Sequence, residues 1–252
     1  MRYQLLGALR IADPAPRTIT APKVETLFAT LLIRANHTVT TDELIAELWG
    51  ENPPRHARTA LHVYVSQIRK QIPSPRPGAA VLHTKPQGYQ MEVDENLVDA
   101  VELQRMHALG RSLLETDPEA ALVPLRHAVG LFRGPVLAGI RNGLVVGNFA
   151  EWAEEVRVDC LHAIGRAALA TNRHRELIGE LVQWVEEHPL HEPLREVLMV
   201  ALTRAGRRAE ALAAYQSTRR VLHEELGLEP GEAMRRLQLA ILSADVGLVP
   251  AA

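Results

Sequence analysis

The sequence predicts a mainly helical protein with a small β component, divided into two domains. Apolar residues recur at helical spacing along most of the 252-residue chain, whereas strand-like segments are confined to residues 1–94. Residues 1–94 carry 11 basic and 8 acidic side chains, and residues 95–252 carry 17 basic and 22 acidic ones. This change of pattern and charge predicts a domain boundary between residues 94 and 95, with different partners for the two halves.

Composition excludes several classes of protein. The hydrophobic fraction of 47% is high enough to form cores and argues against wholesale disorder. Cys160 is the single cysteine, so we expect a small core residue and neither a disulfide nor a cysteine-based metal site. No signal peptide is recognisable, and no apolar run approaches the ~18 residues of a membrane span. We therefore expect a soluble cytoplasmic protein without a membrane partner.

The amino-terminal segment predicts short strands followed by a helix. Residues 3–11 alternate weakly and predict one or two strands, and residues 18–20 are expected to pair back on them. Apolar side chains at helical spacing then follow Pro22, a residue type favoured in first turns of helices. Asn36 is expected to end this first helix.

A second helix is predicted over residues 42–49. Thr40 and Glu43 have the spacing of a capping box, in which each residue satisfies a backbone N–H group of the other. Gly50 is expected to end the helix. The two prolines that follow force an extended turn before the next helix.

The third helix, residues 55–72, lies in a window from residue 52 to residue 91 that contains no Asp or Glu. At about 100° per residue, its apolar side chains form one stripe, and cationic and hydroxyl side chains gather on another face. The stripe consists of Ala57, Leu61, Val65, Ile68 and Ile72, with Tyr64 at its margin. Most charged faces are merely solvated, but those faces mix both signs. A face without carboxylates favours a polyanion such as DNA.

A hairpin is predicted after residues 73–78, where prolines and a glycine interrupt the pattern. Segments 81–84 and 89–93 have strand character and flank a turn that places Lys85 at its tip. The order strand, helix, helix, basic helix, hairpin predicts a winged helix-turn-helix domain. In that fold the third helix enters the major groove, and the hairpin, or wing, lies along the DNA backbone.

Nine residues of this helix and wing are the candidate DNA contacts. They are Arg55, Arg58, Thr59, His62, Ser66, Arg69, Lys70, Thr84 and Lys85. Arg58 and Arg69 are expected to contact bases or phosphates. Arg55, Lys70 and Lys85 are expected to contact mostly phosphates.

From residue 97 onward the pattern is almost entirely helical, with a Gly-rich segment at residues 137–148 that predicts a loop or a short helix. Residues 172–177 align with residues 206–211 at an offset of 34 residues. That period is typical of tetratricopeptide repeats, in which antiparallel helix pairs stack on one another. Further helices are predicted over residues 101–114, 119–132, 149–170 and 233–243.

These motifs resemble those of the SARP family, the Streptomyces antibiotic regulatory proteins. The matching segments are residues 44–50, 53–54, 57–69, 88–89, 131–135, 186–190, 205–207 and 225–231. The resemblance implies a winged helix-turn-helix DNA-binding domain of the OmpR/PhoB type at residues 1–94. It also implies a tetratricopeptide-like bacterial transcriptional activation domain at residues 95–252.

The resemblance further implies a transcription activator that binds tandem promoter repeats as side-by-side protomers. Such an activator recruits RNA polymerase holoenzyme to an antibiotic biosynthetic cluster. Two positions of the third helix differ from the family's usual residues: His62, where Gln is common, and Gln67, where Arg is common. Phe132 stands where Trp is usual. His62 lies on the predicted reading face and therefore bears on which DNA sequence is preferred.

Enzymatic motifs are absent from the sequence. No Lys precedes Ser or Thr, which excludes a Walker A loop, and neither G-x-G-x-x-G, G-x-S-x-G nor H-E-x-x-H occurs. His188 and His191 flank a proline in a predicted turn and are expected to be surface residues rather than metal ligands. We expect no catalysis and no cofactor. The alternative hypothesis is a helical-repeat scaffold whose winged domain binds a protein.

Overall fold

The computed structural model describes residues 2–13, 15–19, 21–72, 80–140 and 143–243, and confirms a mainly helical fold with a small β component. The strands are β1 (Arg2–Gln4), β2 (Arg10–Asp13), β3 (Ala15–Arg17), β4 (Thr38–Thr40), β5 (Val81–Lys85) and β6 (Gly88–Glu92). The helices are α1 (Pro22–Ile33), α2 (Thr41–Trp49), α3 (Ala57–Gln71), α4 (Asp99–Leu113), α5 (Pro118–Gly130), α6 (Leu144–Ala170), α7 (His174–Glu187), α8 (Glu192–Arg204), α9 (Arg208–Leu226) and α10 (Glu232–Leu242). A 3-10 turn at Glu95–Leu97 precedes α4.

The chain forms two compact units, each built from two separate segments. One unit comprises Met1–Arg105 with Ala128–Arg157, and the other comprises Met106–His127 with Val158–Ala252. The domain boundary between residues 94 and 95 stays a prediction. No helix within the described ranges is long and apolar enough to cross a bilayer.

The first unit contains two small antiparallel sheets. Strands β1, β2 and β3 are neighbours in chain order, and Ile11 pairs with both Tyr3 and Arg17. The return strand is Ala15–Arg17, so the prediction of pairing by residues 18–20 was wrong. Because Asp13 pairs directly with Ala15, the chain reverses at once and the pairing ends before residue 18.

The second sheet has the strand order β4-β6-β5 and therefore joins the wing to the strand that precedes α2. Thr40 pairs with Gly88, where a Cβ atom would lie 2.0 Å from the Val39 carbonyl oxygen. Only glycine fits so close to a neighbouring backbone. Strand β4 was not predicted, because three residues ahead of a helix cap carry too little periodicity to mark a strand.

The predicted capping box at the start of α2 is confirmed. The Glu43 backbone N–H donates to Thr40 Oγ1 at 3.2 Å, and the Thr40 backbone N–H donates to Glu43 Oε2 at 2.8 Å. The hydrogen bonds from the Thr40 backbone and side chain lower the pKa of the Glu43 carboxyl. Helix α2 ends at Gly50, whose positive φ of 62° is favourable for glycine.

Two buried carboxylates connect distant parts of the first unit. Asp99 is 6% exposed and accepts hydrogen bonds from the backbone N–H groups of Leu5 and Leu6, at 2.8 and 3.1 Å. Glu47 is 5% exposed and accepts from the backbone N–H groups of Val145 and Val146, at 3.0 and 2.9 Å. Each carboxylate joins segments that lie more than ninety positions apart in the sequence.

Glu47 also explains where α6 begins. The helix starts at Leu144, so the prediction that residues 144–148 belong to a loop or short helix was wrong. The first N–H groups of a helix need acceptors from outside it, and Glu47 of α2 supplies two of them. A Cβ atom at Gly143 would lie 2.0 Å from Glu47 Oε1, so this contact requires glycine at that position.

The second unit confirms the repeat. Helices α7 and α9 begin at His174 and Arg208, 34 positions apart. Before each helix one residue has a positive φ, 56° at Asn172 and 80° at Gly206. The backbone N–H of the residue that follows donates a hydrogen bond to a carbonyl oxygen of the preceding helix. These bonds join Arg173 to Ala168 and Arg207 to Leu202, each at 2.8 Å.

Cys160 is a core residue, and burial raises the pKa of its thiol to about 12.

Replacing Glu47 by Ala should lower the free energy of unfolding by roughly 2–4 kcal/mol, because two buried N–H groups of α6 lose their acceptor. Urea denaturation followed by circular dichroism measures this change. Glu51→Ala is the matched control, since Glu51 is exposed, and it should change the free energy by less than about 0.5 kcal/mol. Equal stabilities of the two variants would show that the Glu47 contact does not support the fold.

Candidate DNA interface

Helix α3 buries four of the five residues of the predicted stripe, whereas Ile72 lies one residue beyond the end of the helix and is partly exposed. Ala57, Leu61, Val65 and Ile68 are buried, with exposures of 8, 0, 2 and 0%. Tyr64, at the margin of the stripe, stacks on Trp49 of α2 with ring centroids 6.1 Å apart. The predicted contact residues on the other side are all exposed: Arg55, Arg58, Thr59, His62, Ser66, Arg69 and Lys70.

The centre of the exposed face of α3 is not formed by Arg58 and Arg69, the two residues that the sequence emphasised. At about 100° per residue, Thr59, Val63 and Lys70 lie within about 30° of the direction opposite the buried stripe. Arg58 and Arg69 lie roughly 90–120° from that direction, at the flanks of the helix. Val63 is 50% exposed and was missed, because an aliphatic residue does not stand out in a search for cations.

Arg69 connects α3 to the wing. Its Nε and Nη2 donate to the Leu82 carbonyl oxygen at 3.1 and 2.9 Å, and Nη2 donates to Thr84 Oγ1 at 2.8 Å. Nη1 has no hydrogen-bond partner in the described part of the chain. Arg69 and Thr84, both predicted as DNA contacts, are therefore hydrogen-bonded to each other. Nη1 is the Arg69 nitrogen that remains available for a phosphate.

Arg58 faces a carboxylate that the sequence window did not contain. Its Nη2 lies 3.1 Å from Asp42 Oδ1 in the first turn of α2, with side-chain exposures of 72% and 83%. The window is acid-free along the chain, but the turn between α2 and α3 brings Asp42 beside the predicted reading face. An ion pair this exposed contributes little to stability, so Arg58 can exchange Asp42 for a DNA contact at little cost.

The wing is the hairpin of β5 and β6, and its turn is shorter than predicted. Lys85 pairs with Gly88, so Pro86 and Gln87 form the tip, and the prediction that Lys85 lies at the tip was wrong. The Gln87 carbonyl oxygen accepts a hydrogen bond from the Thr41 backbone N–H at 2.9 Å. The tip is thus fixed to the start of α2, and Lys85 lies one residue behind it.

Other contacts complete the surface around α3. The His62 ring meets the Tyr89 ring edge to face, with centroids 6.3 Å apart, so the wing also orients His62. Neither Arg55 nor Lys70 forms an ion pair with any residue that the structure describes. These two cations are therefore available for phosphates. Residues 73–78, where the sequence predicted a break, lie outside the described residues.

A basic helix braced by a wing, together with a helical repeat, defines a class of protein: the winged helix-turn-helix transcription regulator. Two family profiles match the chain. The transcriptional regulatory protein C-terminal domain matches residues 17–91, and the bacterial transcriptional activator domain matches residues 98–242.

Transcriptional regulator RedD of Streptomyces coelicolor is 36% identical over 238 residues, which cover 93% of this chain and 68% of RedD. Regulatory protein DnrI of Streptomyces peucetius is 34% identical over 98% of this chain and 94% of DnrI. The solved structure of Mycobacterium tuberculosis EmbR with a low-affinity phosphopeptide superposes with a TM-score of 0.87 at 33% identity, over 96% of this chain and 65% of that chain. The chain belongs to the SARP family of transcription regulators.

Replacing Arg69 by Ala should release the wing from α3, because Leu82 and Thr84 lose charge-assisted hydrogen bonds. We expect amide hydrogen exchange in β5 and β6 to accelerate roughly tenfold, and mass spectrometry of peptides from residues 80–92 would measure it. Lys70→Ala removes the adjacent exposed cation and should leave the exchange unchanged. Equal acceleration in both variants would contradict the bracing role of Arg69.

Proposed function

We propose that this protein is a sequence-specific transcription activator that binds tandem promoter repeats and recruits RNA polymerase to an antibiotic biosynthetic cluster. The observation that carries the proposal is α3, which presents an exposed cationic and hydroxyl face beside a wing that Arg69 holds in place. This role involves neither catalysis nor a cofactor. It belongs to the cytoplasm, with the protein on the nucleoid when bound to DNA.

Within this function, the centre and flanks of α3 have different tasks. Thr59 and Ser66 lie toward the centre of the exposed face and suit hydrogen bonds to base edges. Val63 adds an apolar group at the same depth, which suits the methyl group of thymine. His62 lies nearer the flank, against the wing, and suits a base at the edge of the groove. Arg58 and Arg69, at the flanks of the helix, suit base edges or phosphates at the sides of the groove. Arg55 before the helix, Lys70 near its carboxyl end and Lys85 of the wing suit phosphates.

Family membership supports the activating part of the proposal. The profile that matches residues 98–242 is that of a bacterial transcriptional activator domain, and RedD and DnrI, which match most of this chain, are named as regulators. The helical repeat offers a surface for RNA polymerase or for a second protomer. In-vitro transcription from a promoter bound by the protein tests recruitment directly, because an activator raises transcript yield whereas a passive DNA-binding protein does not.

A second candidate is a helical scaffold whose winged domain binds a protein. The observation that favours it is the EmbR structure, which contains a phosphopeptide, although this chain covers only 65% of that chain. Salt dependence separates the two functions. Binding to duplex promoter DNA that weakens steeply with salt reports phosphate contacts, whereas weak binding that is independent of salt favours the scaffold.

Replacing Arg58 by Ala should weaken binding to the cognate promoter by roughly 1–3 kcal/mol if Arg58 reads a base. Fluorescence anisotropy at several salt concentrations distinguishes the two kinds of contact. A lost phosphate contact lowers the slope of log affinity against log salt by about 0.9 and weakens all DNA sequences alike. A lost base contact keeps the slope and reduces the preference for the promoter.

Asp42→Asn serves as the matched variant, because it removes the ion-pair partner of Arg58 and leaves the arginine in place. It should bind DNA at least as tightly as the unmodified chain, since one carboxylate is removed from the interface. Unchanged promoter affinity in Arg58→Ala would refute the assignment of Arg58.

Moving one of the two promoter repeats should abolish cooperative binding when the shift is half a helical turn. Protomers side by side on one face of the DNA require repeats about 10–10.5 bp apart. Insertion of about 5 bp between repeats turns the second site to the opposite face, and insertion of about 10 bp restores its direction. Footprinting both insertions, with a single-repeat fragment as control, measures the effect. Equal occupancy at every spacing would show that the protomers bind independently.

A further inference from the structure

A groove of about 920 Å³ lies within the second compact unit, between the carboxyl-terminal part of α6 and helices α8 and α10. Small-molecule sites in proteins typically measure roughly 300–1,000 Å³ and are mainly apolar. The aliphatic lining includes Leu169, Val197, Val200, Leu237, Leu239 and Ala240. Leu239 is 63% exposed, so the groove presents apolar surface to solvent.

Most ionisable side chains in the groove already have partners or carry no charge. Arg166 donates to the Glu115 carboxylate at 2.8 Å, and Arg236 forms an ion pair with Glu232 one turn earlier in α10. Burial lowers the pKa of His162 to about 4, so its imidazole is neutral at neutral pH. Each arginine therefore has one carboxylate partner, and these two pairs add no net charge to the groove.

Glu196 is the exception. Its half-buried side chain lines the groove, and no residue in the described ranges donates a hydrogen bond to it or forms an ion pair with it. Burial, and then the nearby Glu192 carboxylate, raise the pKa of Glu196. Glu192 itself accepts a hydrogen bond from the Gly231 N–H at 2.7 Å. A carboxylate partly removed from water without a partner is unfavourable, and a cation beside it would relieve that penalty.

We propose that this groove binds a mainly apolar small molecule that carries one protonated amine. The apolar body would pack on Val197, Val200 and Leu237, and the ammonium group would donate to the Glu196 carboxylate. An anionic ligand would face Glu196 at close range and would have to displace Glu115 or Glu232 from an arginine. A neutral ligand would leave Glu196 as unsatisfied as before. A ligand with an apolar body and an amine head group therefore matches both the volume and the charge of the groove.

Three probes with one apolar body and different head groups test this proposal on the full chain. They are 4-(1-naphthyl)butylamine, 4-(1-naphthyl)butanol and 4-(1-naphthyl)butanoate, whose naphthalene fluorescence reports binding. At about pH 8, well above the ordinary pKa of a glutamate carboxyl and below that of an alkylamine, the amine should bind roughly tenfold more tightly than the alcohol. The carboxylate should bind most weakly.

Two variants separate the charge from the apolar body. Glu196→Gln keeps the size of the side chain and should bring the amine to within about twofold of the alcohol. Leu239→Asn alters an exposed residue of the lining and should weaken all three probes several-fold. Glu224→Gln, an exposed carboxylate change on α9, should alter none of them, and thermal unfolding checks that each variant is folded.

Failure to bind the amine would overturn the proposal. Equal affinity for the three head groups, or an amine preference that persists in Glu196→Gln, would also overturn it. The measurement contains no DNA, so these outcomes are independent of whether the chain binds a promoter.

Discussion

The buried carboxylate of Glu47 is the contact on which the architecture of the first unit depends. It projects from α2, the helix that precedes the basic helix α3, and accepts the Val145 and Val146 N–H groups in the first turn of α6. Without an external acceptor, a buried helix start leaves unsatisfied donors, each costing about 1–3 kcal/mol. Asp99 likewise accepts hydrogen bonds from two buried N–H groups, those of Leu5 and Leu6. Of the two, Glu47 reaches into residues 128–157 and so helps to join that segment to the winged helix in one compact unit.

Polar side chains on the predicted DNA-contacting face of α3 likewise contact other parts of the first unit. Arg69 is held by the wing, Arg58 by Asp42, and His62 by the Tyr89 ring. In the proposed DNA-binding role, the wing contacts of Arg69 and His62 would position these side chains in advance and so reduce the conformational entropy lost on binding. The surface is less positive than the sequence window indicates, because Asp42 lies within it. Under the proposed function, base reading would fall mainly to the centre of α3 and phosphate contacts mainly to its flanks and ends.

In the second unit, the helical repeat accounts for both the recurring turns and the open groove. The same turn geometry recurs at Asn172 and Gly206, which explains the 34-residue period. The last helix, α10, packs against α8 and leaves apolar side chains such as Leu239 uncovered. In a repeat the next helix pair would cover this surface. In the described part of the chain the groove stays open, with Glu196 on its wall, and a ligand can therefore take the place of a further repeat.

Local patterns determined the helices, the capping box and the apolar stripe of α3, because these features depend on residues a few positions apart. The sequence alone also determined the family, from motifs that extend over both halves. Tertiary structure decided everything that depends on distant partners: the start of α6 at Leu144, strand β4, and the presence of Asp42 beside Arg58. It also decided that Arg69 braces the wing. The physical reason is that a hydrogen-bond acceptor or counter-ion is chosen by distance in space, and separation along the chain does not reveal it.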